Sequence, residues 1–105
     1  MTSKVAFLDR DGVINQDYGY VYKVDHFIFC EGVIEALQIL DKKKYRINIV
    51  TNQSGIARGY FTKDEYQLIT EWMLERFISK GIKILDIFKW IGGLYLIYLA
   101  IKFLV

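Results

Sequence analysis

The sequence predicts an α/β fold in which a parallel sheet is flanked by helices. Short apolar runs typical of strands alternate with longer segments of helical periodicity, and a strand–helix–strand order produces parallel strands. Polar residues directly follow the first two apolar runs, at Asp9 and Thr51, as is typical of strand ends in an open sheet. With 105 residues, the chain is one small domain or part of a larger one.

The first half of the chain predicts a complete βαβ unit. "KVAFLD" predicts a short buried strand ending at Asp9, and residues 12–29 predict a tyrosine-rich loop or irregular hairpin. "EGVIEALQILDKKKY" predicts a helix with glutamates near its start and lysines near its end, as the helix dipole favours. "RINIVT" predicts the second strand, which ends at Thr51.

A second helix is marked by its ends. Thr62 and Glu65 have the spacing of a capping box, and Phe61 and Tyr66 that of a hydrophobic staple. Gly81 predicts the C-terminal stop of this helix, and "IKILDIF" after it predicts a third strand. The predicted inner face of the helix comprises Ile69, Trp72, Met73 and Arg76/Phe77.

Composition narrows the classes of partner and the compartment. The net charge is +2 and the basic residues are scattered apart from Lys42–Lys44, which argues against a nucleic-acid partner. A single cysteine, Cys30, excludes an internal disulfide and predicts a reducing cytoplasm. The apolar run Val5–Leu8 is too short for a signal peptide. We therefore expect a cytoplasmic monomer without nucleic-acid or membrane partners.

Asp9 and Asp11 are the residues that predict chemistry. Two carboxylates held close together repel, so the site requires a proton or a cation, and Mg²⁺ prefers such ligands together with substrate phosphate. Asp9, at the end of a strand, is placed to attack phosphorus, and Asp11 to exchange a proton with the leaving alcohol and then with water. The alternative interpretation is a solvated acidic turn.

The segment "TNQSG" offers hydrogen-bond donors across the same crevice. Thr51, Asn52, Gln53 and Ser54 carry hydroxyl and amide groups suited to the oxygens of a transferring phosphoryl group. Arg58 is close enough in sequence to act as a charged clamp, although a surface arginine is an equally good interpretation. The alternative for the whole segment is a polar strand-to-helix turn with a capping role.

These motifs resemble those of the haloacid dehalogenase (HAD) superfamily. "FLDRDGVIN" is similar to its first motif and "INIVTNQSG" to its second. The finer pattern "DRDGVIN", "DYGYV", "EGVIEAL" and "TNQSGIARGYFT" resembles the heptose 1,7-bisphosphate 7-phosphatases and, as an alternative, the histidinol-phosphate phosphatases. The resemblance runs from about Val5 to about Phe88, and it implies a HAD-like (Rossmannoid) sheet that is incomplete at the C-terminus.

The resemblance also implies roles for matched residues. Asp9 is the expected nucleophile and Mg²⁺ ligand, Asp11 the acid/base whose carbonyl also contacts the metal, and Thr51 the residue that steadies the phosphoryl group. Residues 12–29 resemble a flap that closes over a small phosphorylated sugar, in the heptose precursor pathway of lipopolysaccharide. The expected substrate-binding residues are Asp17, Tyr18, Gly19, Tyr20, Asn52, Gln53, Ser54 and Arg58.

The chain departs from the family after Trp90. The intact family adds a later lysine, a later acidic residue and, in the heptose branch, Zn²⁺ bound by cysteine and histidine, whereas this chain has His26 and Cys30 alone. We therefore interpret residues 1–90 as the N-terminal part of a HAD-like domain, and residues 91–105 as an apolar tail that follows a truncation or frameshift near Trp90. Weak or absent phosphatase activity is the expectation for such a chain.

Two other classes compete with the enzyme. A signalling receiver domain is also phosphorylated on aspartate, but its acceptor follows a later strand, which fits Asp9 badly. A non-catalytic, membrane-associated relic would rest on the apolar tail alone. The uninterrupted run from Trp90 to Ile101 is shorter than the roughly 17 to 25 residues of a bilayer span.

Overall fold

The computed structural model describes residues 4–90, which form a parallel sheet with helices. The strands are β1 (Lys4–Asp9), β2 (Tyr45–Asn52) and β3 (Ile84–Trp90), in the spatial order β1-β2-β3. The helices of this part of the chain are α1 (Val33–Lys42), the single-turn α2 (Ser54–Ala57) and α3 (Lys63–Ser79). The predicted α/β fold is confirmed, and the interpretation of residues 91–105 lies outside the described residues.

The register between β1 and β2 brings their carboxyl ends together. Asp9 lies opposite Val50 in the parallel pair, so Thr51 is one residue beyond it on the neighbouring strand. β2 also pairs in parallel with β3, with an irregularity between Ile47 and Asn48. As predicted, the polar residues that end β1 and β2 therefore lie at the same edge of the sheet.

One apolar cluster joins the helices to β2. Ile47 and Ile49 point to the same face of β2. Both are almost completely buried in this cluster, together with Leu37 of α1. The buried residues of α3 in this cluster are Ile69, Met73 and Phe77, with Trp72 partly buried. The predicted inner face of α3 is correct except at Arg76, whose side chain is half exposed.

β1 is less buried than its sequence predicts. None of its residues is fully buried, and Val5 is 39% exposed. Within residues 4–90, β1 pairs on one side alone, with β2, whereas β2 is central and buries half of its residues. An apolar run alone does not distinguish an edge strand from a central one.

The ends of α3 follow the predicted signals. The Thr62 side chain accepts a hydrogen bond from the Glu65 backbone N–H (3.1 Å), and the Glu65 carboxylate accepts one from the Thr62 backbone N–H (2.9 Å), so the capping box is confirmed. After Ser79, Gly81 adopts φ +76° and Ile82 N–H donates to the Phe77 carbonyl (2.9 Å). Glycine favours this left-handed conformation, which ends the helix.

Residues 12–29 form an irregular hairpin, hereafter the flap, as predicted. Its two arms are joined at the base by Gln16 N–H donating to the Ile28 carbonyl (2.8 Å) and Cys30 N–H donating to the Ile14 carbonyl (2.9 Å). A short 3-10 helix, Val24–His26, lies in the returning arm. Within residues 4–90, no helix has the length and apolar character that crossing a bilayer requires.

Candidate active site

The turn after β1 brings Asp11 back toward the strand tip. Arg10 N–H continues the sheet by donating to the Val50 carbonyl (3.0 Å). The Arg10 carbonyl then accepts from Ile14 N–H (2.8 Å) and Asn15 N–H (3.0 Å), which closes the chain into a tight turn. Asp9 and Asp11, on either side of Arg10, consequently line the same cleft.

This cleft lies at the carboxyl edge of the sheet and has a volume of about 340 Å³. Its walls come from the tips of β1 and β2 and from the flap. The lining residues are Asp9, Arg10, Asp11, Asp17, Gly19, Tyr20, Val21, Asn52 and Gln53. All of them except Arg10 and Val21 are predicted site residues.

The Asp11 carboxylate is held from three directions. Its Oδ1 accepts hydrogen bonds from Arg10 Nη2 (2.7 Å) and Asn15 Nδ2 (3.0 Å), and its Oδ2 accepts one from Gln53 Nε2 (3.2 Å). Hydrogen bonds that involve charged partners are stronger than neutral ones. The carboxylate is therefore fixed in the wall of the cleft in an orientation set by its neighbours.

Asp9 carries a charge that its surroundings disfavour. Desolvation by the cleft walls, and then the negative charge of Asp11, raise the pKa of Asp9 above its ordinary value of 3.8, while a hydrogen bond from the Arg10 backbone lowers it. The charge of Asp17 acts in the raising direction too. Three carboxylates near one cleft create a negative potential that favours a cation.

The donor set fits a magnesium ion. Mg²⁺ in phosphate-binding sites is commonly held by one or two carboxylates, with phosphate and water completing its shell. Asp9 can supply a carboxylate, whereas both oxygens of the Asp11 carboxylate already accept hydrogen bonds, so the expected metal contact of Asp11 through its backbone carbonyl stays a prediction. Across residues 4–90, no group of three or more His, Cys, Asp or Glu side chains is placed to hold a metal ion by itself.

Thr51 lies beneath the cleft rather than on its wall. It is fully buried, and its hydroxyl accepts a hydrogen bond from Gln53 Nε2, the group that also donates to Asp11. Gln53 thus lies between the Thr51 hydroxyl and the cleft in this arrangement. The role predicted for Thr51, a contact with the phosphoryl group, stays a prediction.

Tyr20 attaches the flap to the segment that follows β2. Its ring lies 4.7 Å from that of Tyr60 and 6.5 Å from that of Phe61, centroid to centroid. Its hydroxyl accepts a hydrogen bond from Arg58 Nη1 (3.1 Å). Gly55 permits this packing, because a Cβ there would lie 2.7 Å from Tyr20 Cδ1 and 2.3 Å from Phe61 Cε1.

Three other predicted residues also lie outside the cleft lining. Arg58 is exposed and contacts Tyr20. The Tyr18 hydroxyl donates to the His26 carbonyl within the flap. Ser54 begins α2, and its N–H donates to Asn52 Oδ1 (3.2 Å), a local turn contact of the kind expected at a strand-to-helix turn.

Arg10 and Val21 are the lining residues that sequence reasoning missed. An arginine between two aspartates at a strand end is a signal of local charge balance, and it could have pointed to Arg10. Val21 gives no such signal, because an apolar residue between tyrosines predicts a half-buried hairpin equally well.

Similarity searches relate the chain to known phosphatases. No protein-family model matches it. It is 58% identical over 71 residues to the D-glycero-β-D-manno-heptose-1,7-bisphosphate 7-phosphatase of Haemophilus influenzae, which covers 68% of this chain and 39% of that protein. It is 48% identical over 85 residues to a D-glycero-α-D-manno-heptose-1,7-bisphosphate 7-phosphatase of Photorhabdus laumondii, covering 81% and 46% respectively. The chain spans less than half the length of these curated relatives.

Solved structures give the same relationship. The D,D-heptose 1,7-bisphosphate phosphatase of B. bronchiseptica, complexed with magnesium and phosphate, superposes with a TM-score of 0.80 at 34% identity, covering 86% of this chain and 51% of that one. The corresponding enzyme of Burkholderia thailandensis gives a TM-score of 0.67 at 33% identity, covering 86% and 54%.

A parallel sheet whose first two strands end at a carboxylate-lined cleft, together with these similarities, defines the class. The chain belongs to the HAD-like phosphatase family. Within that family, the relatives that it matches in both sequence and structure include heptose-1,7-bisphosphate phosphatases.

Proposed function

We propose that the chain carries the nucleophile-bearing part of a magnesium-dependent phosphatase that removes the 7-phosphate of heptose 1,7-bisphosphate. The observation that carries this proposal is the convergence of Asp9 and Asp11 on one polar cleft at the sheet edge. The names of the matched relatives support the substrate class, and the magnesium and phosphate in the B. bronchiseptica structure support the cofactor. A soluble sugar phosphate also favours a cytoplasmic setting.

Two carboxylates divide the reaction between them. Asp9 attacks phosphorus, the bond to the sugar oxygen breaks, and Asp11 gives a proton to that oxygen, which requires Asp11 to take up a proton in place of the charge that pairs with Arg10. Water then cleaves the aspartyl-phosphate, with Asp11 accepting the water proton, which restores Asp9 and releases phosphate. Mg²⁺ bound at Asp9 and Asp11 would offset the negative charge that gathers around the transferring group.

The remaining lining residues bind the substrate and exclude water from the cleft. Asn52 presents its amide group to the cleft, whereas Gln53 uses its amide nitrogen to hold Asp11 and Thr51, and Tyr20 lines the cleft from the flap. Hydrogen-bond donors fixed before the reaction stabilise developing charge without reorganising. Asp17 lies at the same wall and suits sugar hydroxyls, since a carboxylate accepts hydrogen bonds from them.

The test is Mg²⁺-dependent phosphate release by the purified chain from heptose 1,7-bisphosphate, compared with D9N. We expect slow release that requires both Mg²⁺ and Asp9, and no release by D9N, which lacks the nucleophile. Histidinol phosphate, the substrate of the alternative family, serves as the comparison substrate. Equal release by the chain and D9N would overturn the proposal, and faster release from histidinol phosphate would overturn the substrate.

A further inference from the structure

We propose that Arg10 is a positioning residue that joins the Asp11 carboxylate to the flap at Val21 and Phe27. The orientation of Asp11 then depends on the flap being seated over the cleft. This inference rests on the proposed function for the chemical role of Asp11. The physical link between Arg10, Asp11 and the flap is independent of turnover.

The burial of Arg10 requires a charged partner. The residue is 2% exposed, and a buried guanidinium without a compensating partner loses its favourable solvation. Its Nη2 lies 2.7 Å from Asp11 Oδ1, and its Nε donates to the same oxygen at 3.3 Å. Asp11 therefore compensates the buried charge, and Arg10 fixes the carboxylate in return.

The same guanidinium also contacts the flap twice. Nη2 donates a hydrogen bond of 2.7 Å to the Val21 carbonyl, and Cζ lies 5.7 Å from the centre of the Phe27 ring. Val21 and Phe27 are both buried. Arg10 thus connects one charged group of the cleft to two buried residues of the flap.

The other donors to Asp11 do not make this connection. Asn15 lies in the outgoing arm, and its Nδ2 donates otherwise to the adjacent Gln16 carbonyl (3.1 Å). Gln53 reaches Asp11 from the end of β2 and donates otherwise to Thr51. Among these three donors, Arg10 is the one whose side chain contacts Val21 and Phe27, whereas Asn15 pairs with Phe29 through a backbone bridge.

A double-mutant cycle on the full chain tests the link through backbone amide hydrogen exchange. The variants are R10M, D11N and R10M/D11N, since methionine keeps much of the arginine length without donors and asparagine keeps the aspartate shape without charge. The amides of Gln16 and Phe27 report on the flap, because their hydrogen bonds lie within it. The amides of Ile69 and Met73, in α3, report on global stability. R46M is the matched control, because Arg46 is an exposed arginine on β2.

We expect R10M and D11N each to speed exchange at Gln16 and Phe27 about tenfold, the order of losing one charge-assisted hydrogen bond. The double variant should be no faster than R10M, because both substitutions break the same link. R46M should leave the flap unchanged. Exchange at Ile69 and Met73 should remain slow in D11N.

Two results would overturn the proposal. One is an exchange rate in the double variant that rises by the product of the two single-variant factors. The other is a D11N variant whose flap amides exchange at the wild-type rate. If R10M unfolds globally, flap exchange in D11N alone tests the proposal, since this substitution preserves the side-chain shape. Failure of phosphate release with an intact cycle would reject the proposed function and leave the Arg10 link standing.

Discussion

At the scale of single residues, the cleft combines groups that oppose one another. Asp9 and Asp11 gather negative charge, while Arg10 supplies one buried positive charge that is already paired with Asp11. The excess charge falls on Asp9, whose pKa is raised. Sites arranged for chemistry commonly retain such unfavourable interactions and lose stability by them.

Replacing Asp9 by asparagine should therefore stabilise the chain in metal-free buffer at pH 7. Because the folded-state pKa of Asp9 is raised, the stability linked to its proton is complete below about pH 3.8 and is lost as the pH rises through the folded-state pKa. D9N removes this loss. Thermal unfolding from pH 7 down to pH 4 should show D9N melting higher at pH 7, with the difference closing toward acid pH.

D25N provides the control, because Asp25 is an exposed acid outside the active-site cleft. It should not reproduce the pH-dependent gain. A D9N protein that melts below wild type at pH 7 would contradict the assignment of Asp9 as an electrostatically strained group.

Gly55→Ala should separate the flap from the segment after β2. The added Cβ would overlap the Phe61 and Tyr20 rings, and overpacking of this kind costs about 1–3 kcal/mol. Urea unfolding measures the loss. Combining G55A with F61L should recover part of it by making space. A G55A chain as stable as wild type would show that the aromatic contacts yield freely.

The sequence predicted the cleft residues better than their arrangement. Asp9, Asp11 and Gln53 carry chemical groups that identify themselves, and the strand ends place them together. The burial of Thr51 beneath Gln53 and of Arg10 beneath the flap depends on packing between segments distant in sequence. Local patterns contain no information of that kind.

At the scale of elements, α3 is the best specified part of the chain. Its capping box satisfies backbone donors at the first turn, and Gly81 ends it two residues after Ser79. The elements that sequence reasoning missed or misjudged are short or peripheral. α2 has a single turn, too short for periodicity, and the exposure of β1 is set by its neighbours.

Thr62→Ala should destabilise the chain by about 1 kcal/mol, because the Glu65 backbone N–H loses its acceptor. Chemical denaturation gives the free energy of unfolding. T62S retains the hydroxyl and should stay close to wild type. If T62A and T62S were equally stable, the capping hydrogen bond would contribute nothing in solution.

At the scale of the whole molecule, the sheet formed by residues 4–90 has three strands. Parallel sheets are normally covered on both faces. Here the buried amide of Asn48, on the face of β2 opposite Ile47 and Ile49, has no hydrogen-bond partner among the described residues. Such a group costs about 1–3 kcal/mol, a large share of the stability of a small domain.

The edge of β1 is a second feature of this three-stranded sheet. Within residues 4–90, β1 forms backbone pairs on one side, and its Val5 is 39% exposed. Unpaired strand edges with apolar side chains template association between chains, and lysine on an edge strand opposes it. Val5→Lys should therefore slow association several-fold at equal protein concentration, as measured by static light scattering at neutral pH.

Leu68→Lys separates the edge effect from net charge. Leu68 is 65% exposed on α3, away from the sheet, so the substitution adds the same charge and removes more exposed apolar surface. If association proceeds through the β1 edge, V5K slows it more than L68K does, although L68K removes the more exposed side chain. Equal slowing would mean that charge repulsion controls association and that the β1 edge plays no special part.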